Sequence, residues 1–134
     1  MSRLQAVFWD VDGTLADTEL NGHRPAFNQA FSDCGLDWYW NEELYSELLR
    51  IPGGRQRMQC YAEQVGAPID QALLDRLRRS KQQHYLKIAS SGTVTLRPGV
   101  SRLLQELNSA GVQQWIVTSS GRASVEALLQ SLPS

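Results

Sequence analysis

Residues 4–9, Leu-Gln-Ala-Val-Phe-Trp, form a short apolar run that stops at Asp10-Val11-Asp12-Gly13-Thr14-Leu15. A run of this length bounded by a turn reads as a strand buried on both faces, as in a parallel sheet. Side chains two apart on extended backbone point the same way, so Asp10 and Asp12 share one site at the carboxyl end of that strand. Two like charges held so close repel unless a cation or a proton lies between them; the pair predicts either a divalent metal or a proton-sharing dyad. Gly13 permits the sharp exit that leaves both acids at the sheet's edge. The bland alternative is an Asp-Gly turn with incidental acids, and the extended string through Leu15 weighs against it.

Beyond the turn the pattern becomes helical. Ala26, Phe27, Ala30, Phe31 and Cys34 recur at three- and four-residue spacing up to Gly35, which suits a left-handed cap. Leu44, Tyr45, Leu48 and Leu49 repeat the pattern before Pro52-Gly53-Gly54 breaks it. Met58, Tyr61, Ala62 and Val65 make a third stripe, and Leu73, Leu74, Leu77, Tyr85 and Ile88 a fourth. Residues 18–90 thus read as an all-helical insert that closes at a hinge, Ser90-Ser91-Gly92. After Arg97-Pro98-Gly99, another amphipathic helix carries Val100, Leu103, Leu104 and Leu107. A second buried strand is expected over 113–117, then Thr118-Ser119-Ser120-Gly121 and a last helix with Val125, Leu128, Leu129 and Leu132. The class is α/β with parallel strands, and catalytic loops belong at the strands' carboxyl ends. Segments 1–17 and 91–134 form the core around the insert, and two strands are fewer than such a sheet normally holds.

Composition narrows the function. With 134 residues, 42% hydrophobic and 20% charged, the chain falls in the globular range and has room for one small domain with its own core. Net charge is −1, and Arg76, Arg78, Arg79 and Lys81 are interleaved with apolar residues as on the solvated face of a helix, so nucleic-acid binding has no support. No apolar stretch is long enough for a membrane span, nor the start apolar enough for a signal peptide, and a cytosolic setting is expected. Cys34 and Cys60 lack metal or redox spacing and are expected to be buried and inert. His84 falls on a helix stripe and is expected to pack or face solvent.

The string Asp-Val-Asp-Gly-Thr-Leu-Ala-Asp-Thr-Glu resembles the first motif of the haloacid dehalogenase superfamily. Trp115-Ile116-Val117-Thr118-Ser119-Ser120 resembles its second. Between them Gly22-His23-Arg24, Ala26-Phe27-Asn28, Gly35-Leu36-Asp37-Trp38, Trp40 and Gly53-Gly54 resemble the helical cap of the CbbY-like subgroup, which includes xylulose-1,5-bisphosphate phosphatases and has β-phosphoglucomutase among its relatives. The resemblance implies a HAD-like Rossmannoid core, here incomplete, with an inserted α-helical cap. It makes Asp10 the nucleophile that forms an aspartyl-phosphate and Asp12 the general acid/base. Mg2+ is the implied cofactor, bound through the Asp10 carboxylate and the Asp12 backbone carbonyl. Thr118 and Ser119 would hold the phosphoryl group, and the substrate class is a small phosphorylated sugar. The match departs from the subgroup at Arg55-Gln56.

Other assignments stay open on the residues alone. Thr118 by itself suits a helix cap as well as a ligand. Arg55 and Arg57 beside Gly53-Gly54 suit either a surface loop or a grip on a second phosphate. His23 and Glu19 either orient substrate or serve structure. The superfamily's later Lys and Asp motifs have no counterpart here, because Lys81 and Lys87 precede the second motif. The chain therefore reads as the N-terminal part of such an enzyme, weak or inactive by itself. A phosphosugar mutase using the same two aspartates and a non-catalytic helical binding module are the alternatives, and the oligomeric state is open.

Overall fold

A computed structural model describes residues 3–133; Met1, Ser2 and Ser134, the outer ends of the two expected core segments, lie outside the described residues. Strand β1 (Ala6–Trp9) is followed by a π-helical turn (Glu19–His23) that runs directly into α1 (Arg24–Asp33). Helices α2 (Glu42–Leu48), α3 (Gly54–Gln64) and α4 (Gln71–Ser90) complete the helical segment. Then come α5 (Val100–Ser109), β2 (Gln113–Ile116) and α6 (Arg122–Ser131).

Local chemistry accounts for the helix boundaries. Asn41 and Asp70 cap α2 and α4, each accepting from the N–H three residues on at 2.8 Å, which satisfies a donor the helix leaves orphaned. Gly35, with φ +76°, ends the α1 region in the left-handed conformation expected of it. The π-turn has no counterpart in the sequence reading; such wide turns occur mostly within longer helices and often beside functional sites.

The strands pair in parallel, Phe8 opposite Trp115 and Trp9 opposite Ile116. Trp9 and Gln114 face α5: the Trp9 indole donates to the Gln114 side chain at 3.0 Å, and that side chain donates on to the Leu104 carbonyl. The opposite face is bare. Phe8 is 69% exposed and Trp115 57%, which corrects the expectation of strands buried on both faces. Apolar composition made the strands, but the described chain lays helices over one face only.

Two apolar clusters fill the interior. One gathers Val11, Leu15, Ala16, Ala26, Tyr85, Ala89, Val94, Val100 and Leu128 beneath the sheet. The other is largely aromatic and belongs to the helical segment: Phe27, Phe31, Trp40 and Tyr45 with Met58, Leu74 and Leu77. Phe31 meets Trp40 edge-on at 4.7 Å between centroids, a preferred aromatic geometry. Asn28 holds Trp40 in register by accepting from its N–H at 2.8 Å and donating to its carbonyl at 2.9 Å. His84 pairs with Asp33 at 2.6 Å and so ties α4 to α1. Three expectations change: Val65 is exposed just past the end of α3, and Cys34 and Cys60 are only half-buried, at the end of α1 and on the outer side of α3.

The two kinds of aromatic residue carry different stability. Phe31→Ala is expected to lower the unfolding free energy by about 3–5 kcal/mol, the usual cost of emptying a core aromatic site. Phe8→Ala on the bare face is expected to change it by about 0.5 kcal/mol or less. Urea denaturation of both variants measures the contrast.

Candidate functional site

The loop leaving β1 is wound tightly on itself. Thr14, Leu15 and Ala16 all donate backbone N–H groups to the Val11 carbonyl, and the Gly13 N–H donates to the Ala16 carbonyl at 2.9 Å. Gly13 sits at φ +72°, where an L side chain would be strained. Asp10 is exposed at the end of the strand, its carboxylate 3.4 Å from the Thr14 hydroxyl.

Asp12 is the hub. Its Oδ1 accepts from the Thr18 hydroxyl at 2.6 Å and lies 2.9 Å from His23 Nε2, while Oδ2 accepts from the Ser120 hydroxyl. Burial opposes the charge on this carboxylate, but the bonds from His23, Ser120 and Thr18 outweigh it and hold Asp12 well below the ordinary carboxylate range. It is ionised at neutral pH.

His23 is fixed on both sides. Its ring stacks on Tyr85 at 4.0 Å, and Nδ1 lies 2.9 Å from Lys81 Nζ. A charged lysine has only donors, so Nδ1 accepts, the ring proton resides on Nε2, and Nε2–H donates to Asp12. Lys81 also rests over the Phe27 and Tyr85 rings at 4.9 and 5.2 Å. Its desolvation, assisted by the Arg57 charge and partly offset by Glu19 and Asp12, brings the ammonium down to about 8.

Arg57 is buried, 8% exposed, and its guanidinium donates to the Leu48 and Ile51 carbonyls at 2.9 Å each. Among the described residues no carboxylate lies within ion-pair distance of Arg57 or Lys81. Tyr45 lies beneath the guanidinium at 5.6 Å and donates its hydroxyl to Glu19 at 2.8 Å; burial first, then the Glu19 charge, keep that phenol protonated. Gly53 and Gly54 open α3 at this place, and a Cβ on Gly54 would lie 2.9 Å from Phe27, so only glycine fits that approach undisturbed.

These groups enclose one hollow of about 170 Å³ lined by Asp12, Glu19, His23, Tyr45, Arg57 and Lys81, with Gly53, Gly54, Ser119 and Ser120 at its rim. A second, of about 240 Å³, adjoins it through Phe27, Gly54 and Lys81 and reaches Arg55 and Arg78. The larger hollow of about 360 Å³ is lined by Arg78, Arg79, Gln82, Gln83 and Leu86 of α4 alone and contains no carboxylate.

The structure therefore gathers Asp12, Glu19, His23, Arg57 and Ser119 around the hollow, while Asp10, two residues before Asp12 on the same loop, is exposed and does not line it. It does not bring in Arg55, which turns outward to Asp75 at 2.7 Å, or the Thr118 side chain, whose Oγ1 accepts from the Ser120 N–H. Lys81 corrects the sequence reading, which placed it on a solvated face: it continues the Leu74, Leu77 and Tyr85 stripe, and that spacing was the available signal. Ser120, Thr18 and the Tyr45 hydroxyl were also missed, Tyr45 because its ring reads simply as core. Among the described residues no cluster of three or more His, Cys, Asp or Glu side chains is placed to hold a metal ion, and no helix is long and apolar enough to cross a membrane.

Fold and site together define an α/β protein of HAD-like architecture, with an acidic loop at the end of its first strand facing helices inserted after it. The chain belongs to the haloacid dehalogenase-like hydrolase family, whose family model matches residues 4–133. It is 44% identical over 126 residues to protein CbbY of Rhodobacter capsulatus, covering 94% of this chain and 55% of that one. It is 40% identical over 134 residues to the plasmid-encoded CbbY of Cupriavidus necator, covering 96% and 52%. A crystal structure of a CbbY mutant from Rhodobacter sphaeroides in complex with xylulose-(1,5)bisphosphate superposes with a TM-score of 0.84 at 33% identity, over 97% of this chain and 57% of that one. The chain spans about half the length of these curated relatives.

The Asp12 network makes stability depend on acid. A carboxylate whose folded pKa is depressed contributes stability above its unfolded pKa of about 3.9 and loses it as pH falls further. Asp12→Asn is expected to cost about 1–3 kcal/mol at pH 7, where three donors lose their anion. The gap to wild type should narrow below about pH 4, as followed by urea unfolding at pH 7 and pH 3.

Proposed function

We propose that this chain carries the nucleophile and substrate grip of a phosphatase for a small sugar phosphate, organised as a core of residues 1–17 and 91–134 with a helical cap of residues 18–90. The observation that carries this reading is the pair of secluded cations, Arg57 and Lys81, in one hollow with Asp12 and without an ion-paired carboxylate among the described residues. A buried cation lacking a fixed counter-ion is costly unless an anionic ligand completes it. The N-terminus of α3 at Gly53-Gly54 adds backbone donors to the same place.

In the proposed reaction an Asp10 carboxylate oxygen bonds to phosphorus as the bond to the sugar oxygen breaks, and Asp12 gives that oxygen a proton. Water then attacks the aspartyl-phosphate, Asp12 takes its proton, and phosphate leaves with Asp10 restored. The network holds Asp12 ionised, the form needed for the second half. An arriving phosphoryl group is a like charge that raises its affinity for the proton needed in the first. Ser119 and Ser120 stand where the transferring group would be held, and Arg57 and Lys81 where a second anionic group would lie. A bisphosphate such as xylulose-1,5-bisphosphate suits two such grips.

Magnesium fits the donors available. The Asp12 carboxylate is committed to three hydrogen bonds, and the Asp12–Ala16 bridge uses the Val11 carbonyl and the Gly13 N–H. That leaves the Asp10 carboxylate and the Asp12 carbonyl, hard oxygens suited to this ion. Bound there, it would neutralise charge on the transferring group. With no third acid gathered beside these donors among the described residues, turnover by the 134 residues alone is proposed to be weak.

Phosphate release from xylulose-1,5-bisphosphate and a panel of sugar monophosphates, with and without magnesium, tests this. Magnesium-dependent release abolished by Asp10→Asn is the expected result. Arg57→Ala should lower kcat/KM for the bisphosphate by about 10²-fold, the loss expected of a buried charge-assisted contact, and affect monophosphates less. Release that survives Asp10→Asn would refute the assignment.

A further inference from the structure

The two segments that lead into and out of the helical segment run side by side. Ala16 and Leu96 form an antiparallel bridge, the Asp17 N–H donates to the Thr95 carbonyl at 3.3 Å, and the Arg97 N–H donates to the Leu15 carbonyl at 2.9 Å. Leu15 and Ala16 are buried, and Leu96 packs on the cluster beneath the sheet. Helices attached by two paired segments have one seam to move about rather than two independent tethers.

The Arg97 side chain leaves that seam and reaches the acidic loop, where Nη1 donates to the Gly13 carbonyl at 2.7 Å. Gly13 follows Asp12 directly, and its own N–H is held by the Ala16 carbonyl at 2.9 Å. The two peptide planes on either side of Gly13 are therefore fixed, one by Ala16 of the seam and the other by Arg97 of the seam. The first of these planes adjoins the Asp12 Cα and helps set the direction of its side chain; the second, held by Arg97, fixes the left-handed Gly13 turn that follows. A charged donor on a neutral carbonyl is a strong form of hydrogen bond, and Arg97 has no ion-pair partner among the described residues to draw it elsewhere.

We propose that Arg97 is a positioning residue that clamps the Gly13 peptide to the seam and so couples the orientation of the Asp10–Asp12 loop to the placement of the helices. The catalytic part of this claim rests on the reading of Asp10 and Asp12 as the reacting pair, and the structural part stands apart from it. It accounts for an exposed arginine, far along the chain, bonding to the one residue in the loop with positive φ.

The test uses the 134-residue chain with Arg97→Ala and Arg97→Lys, read by amide hydrogen exchange and by turnover. In Arg97→Ala the Thr14 amide, which is the N–H of the peptide whose carbonyl Arg97 holds, and the neighbouring Gly13 amide are expected to exchange about tenfold faster while those of α1 and α4 keep wild-type rates; Arg97→Lys should retain most of the protection. Where turnover is measurable, kcat should fall about tenfold with KM unchanged, again with partial rescue by lysine. Unchanged exchange at Gly13 and Thr14, or acceleration spread evenly through α1–α4, would overturn the clamp. Faster exchange at Gly13 with kcat retained would overturn the positioning role. Exchange data decide the clamp even if the wild-type chain shows no Asp10-dependent release, which separates its failure from that of the proposed reaction.

Discussion

The carboxylate of Asp12 is where the separate parts of this chain meet. Thr18 reaches it from the start of the helical segment, His23 from the π-turn, and Ser120 from the loop after the second strand. Through His23 the network extends to Lys81 on α4. A buried carboxylate left without donors would take up a proton instead of staying charged; with three donors it stays charged and defines where each neighbour must sit. The π-turn makes geometric sense in this setting, because widening the first turn of the long helical run presents Thr18 and His23 to the same oxygen.

From this hub the electrostatics of the hollow follow. Lys81 lies against two aromatic faces and one imidazole, and Arg57 is held by two carbonyls over Tyr45. None of these partners is an anion. Glu19, the other acid lining the hollow, is engaged by the Tyr45 hydroxyl. The arrangement holds both cations in place without a directly bonded anion, while Asp12 and Glu19 line the same hollow.

The acidic loop was legible in the sequence because a buried-strand pattern, two acids at spacing two and a glycine each carry a separate physical signal and agree. The helical run was legible for a similar reason, and Gly35 marked its first boundary correctly. Lys81 was not, because a cation among arginines reads as solvated, although its spacing from Leu74, Leu77 and Tyr85 placed it on the inner face. Arg55 and Arg57 were inseparable by composition. Two positions apart on a helix they point in nearly opposite directions, and only the packing of α3 on Phe27 decides which one turns in. The bare face of Phe8 and Trp115 was misread because apolar residues announce that a face needs covering and say nothing of what the described chain lays over it.

The hollow turns on a secluded cation, Lys81, held near Asp12 without an ion-pair partner among the described residues. The most direct measurement is the titration of the Lys81 ammonium by ¹³C NMR of its ε-carbon, assigned by comparison with Lys81→Arg, without and with inorganic phosphate. A midpoint near 8 that moves upward when phosphate binds is the expected result. A midpoint at the ordinary lysine value of 10.5, unmoved by phosphate, would contradict it.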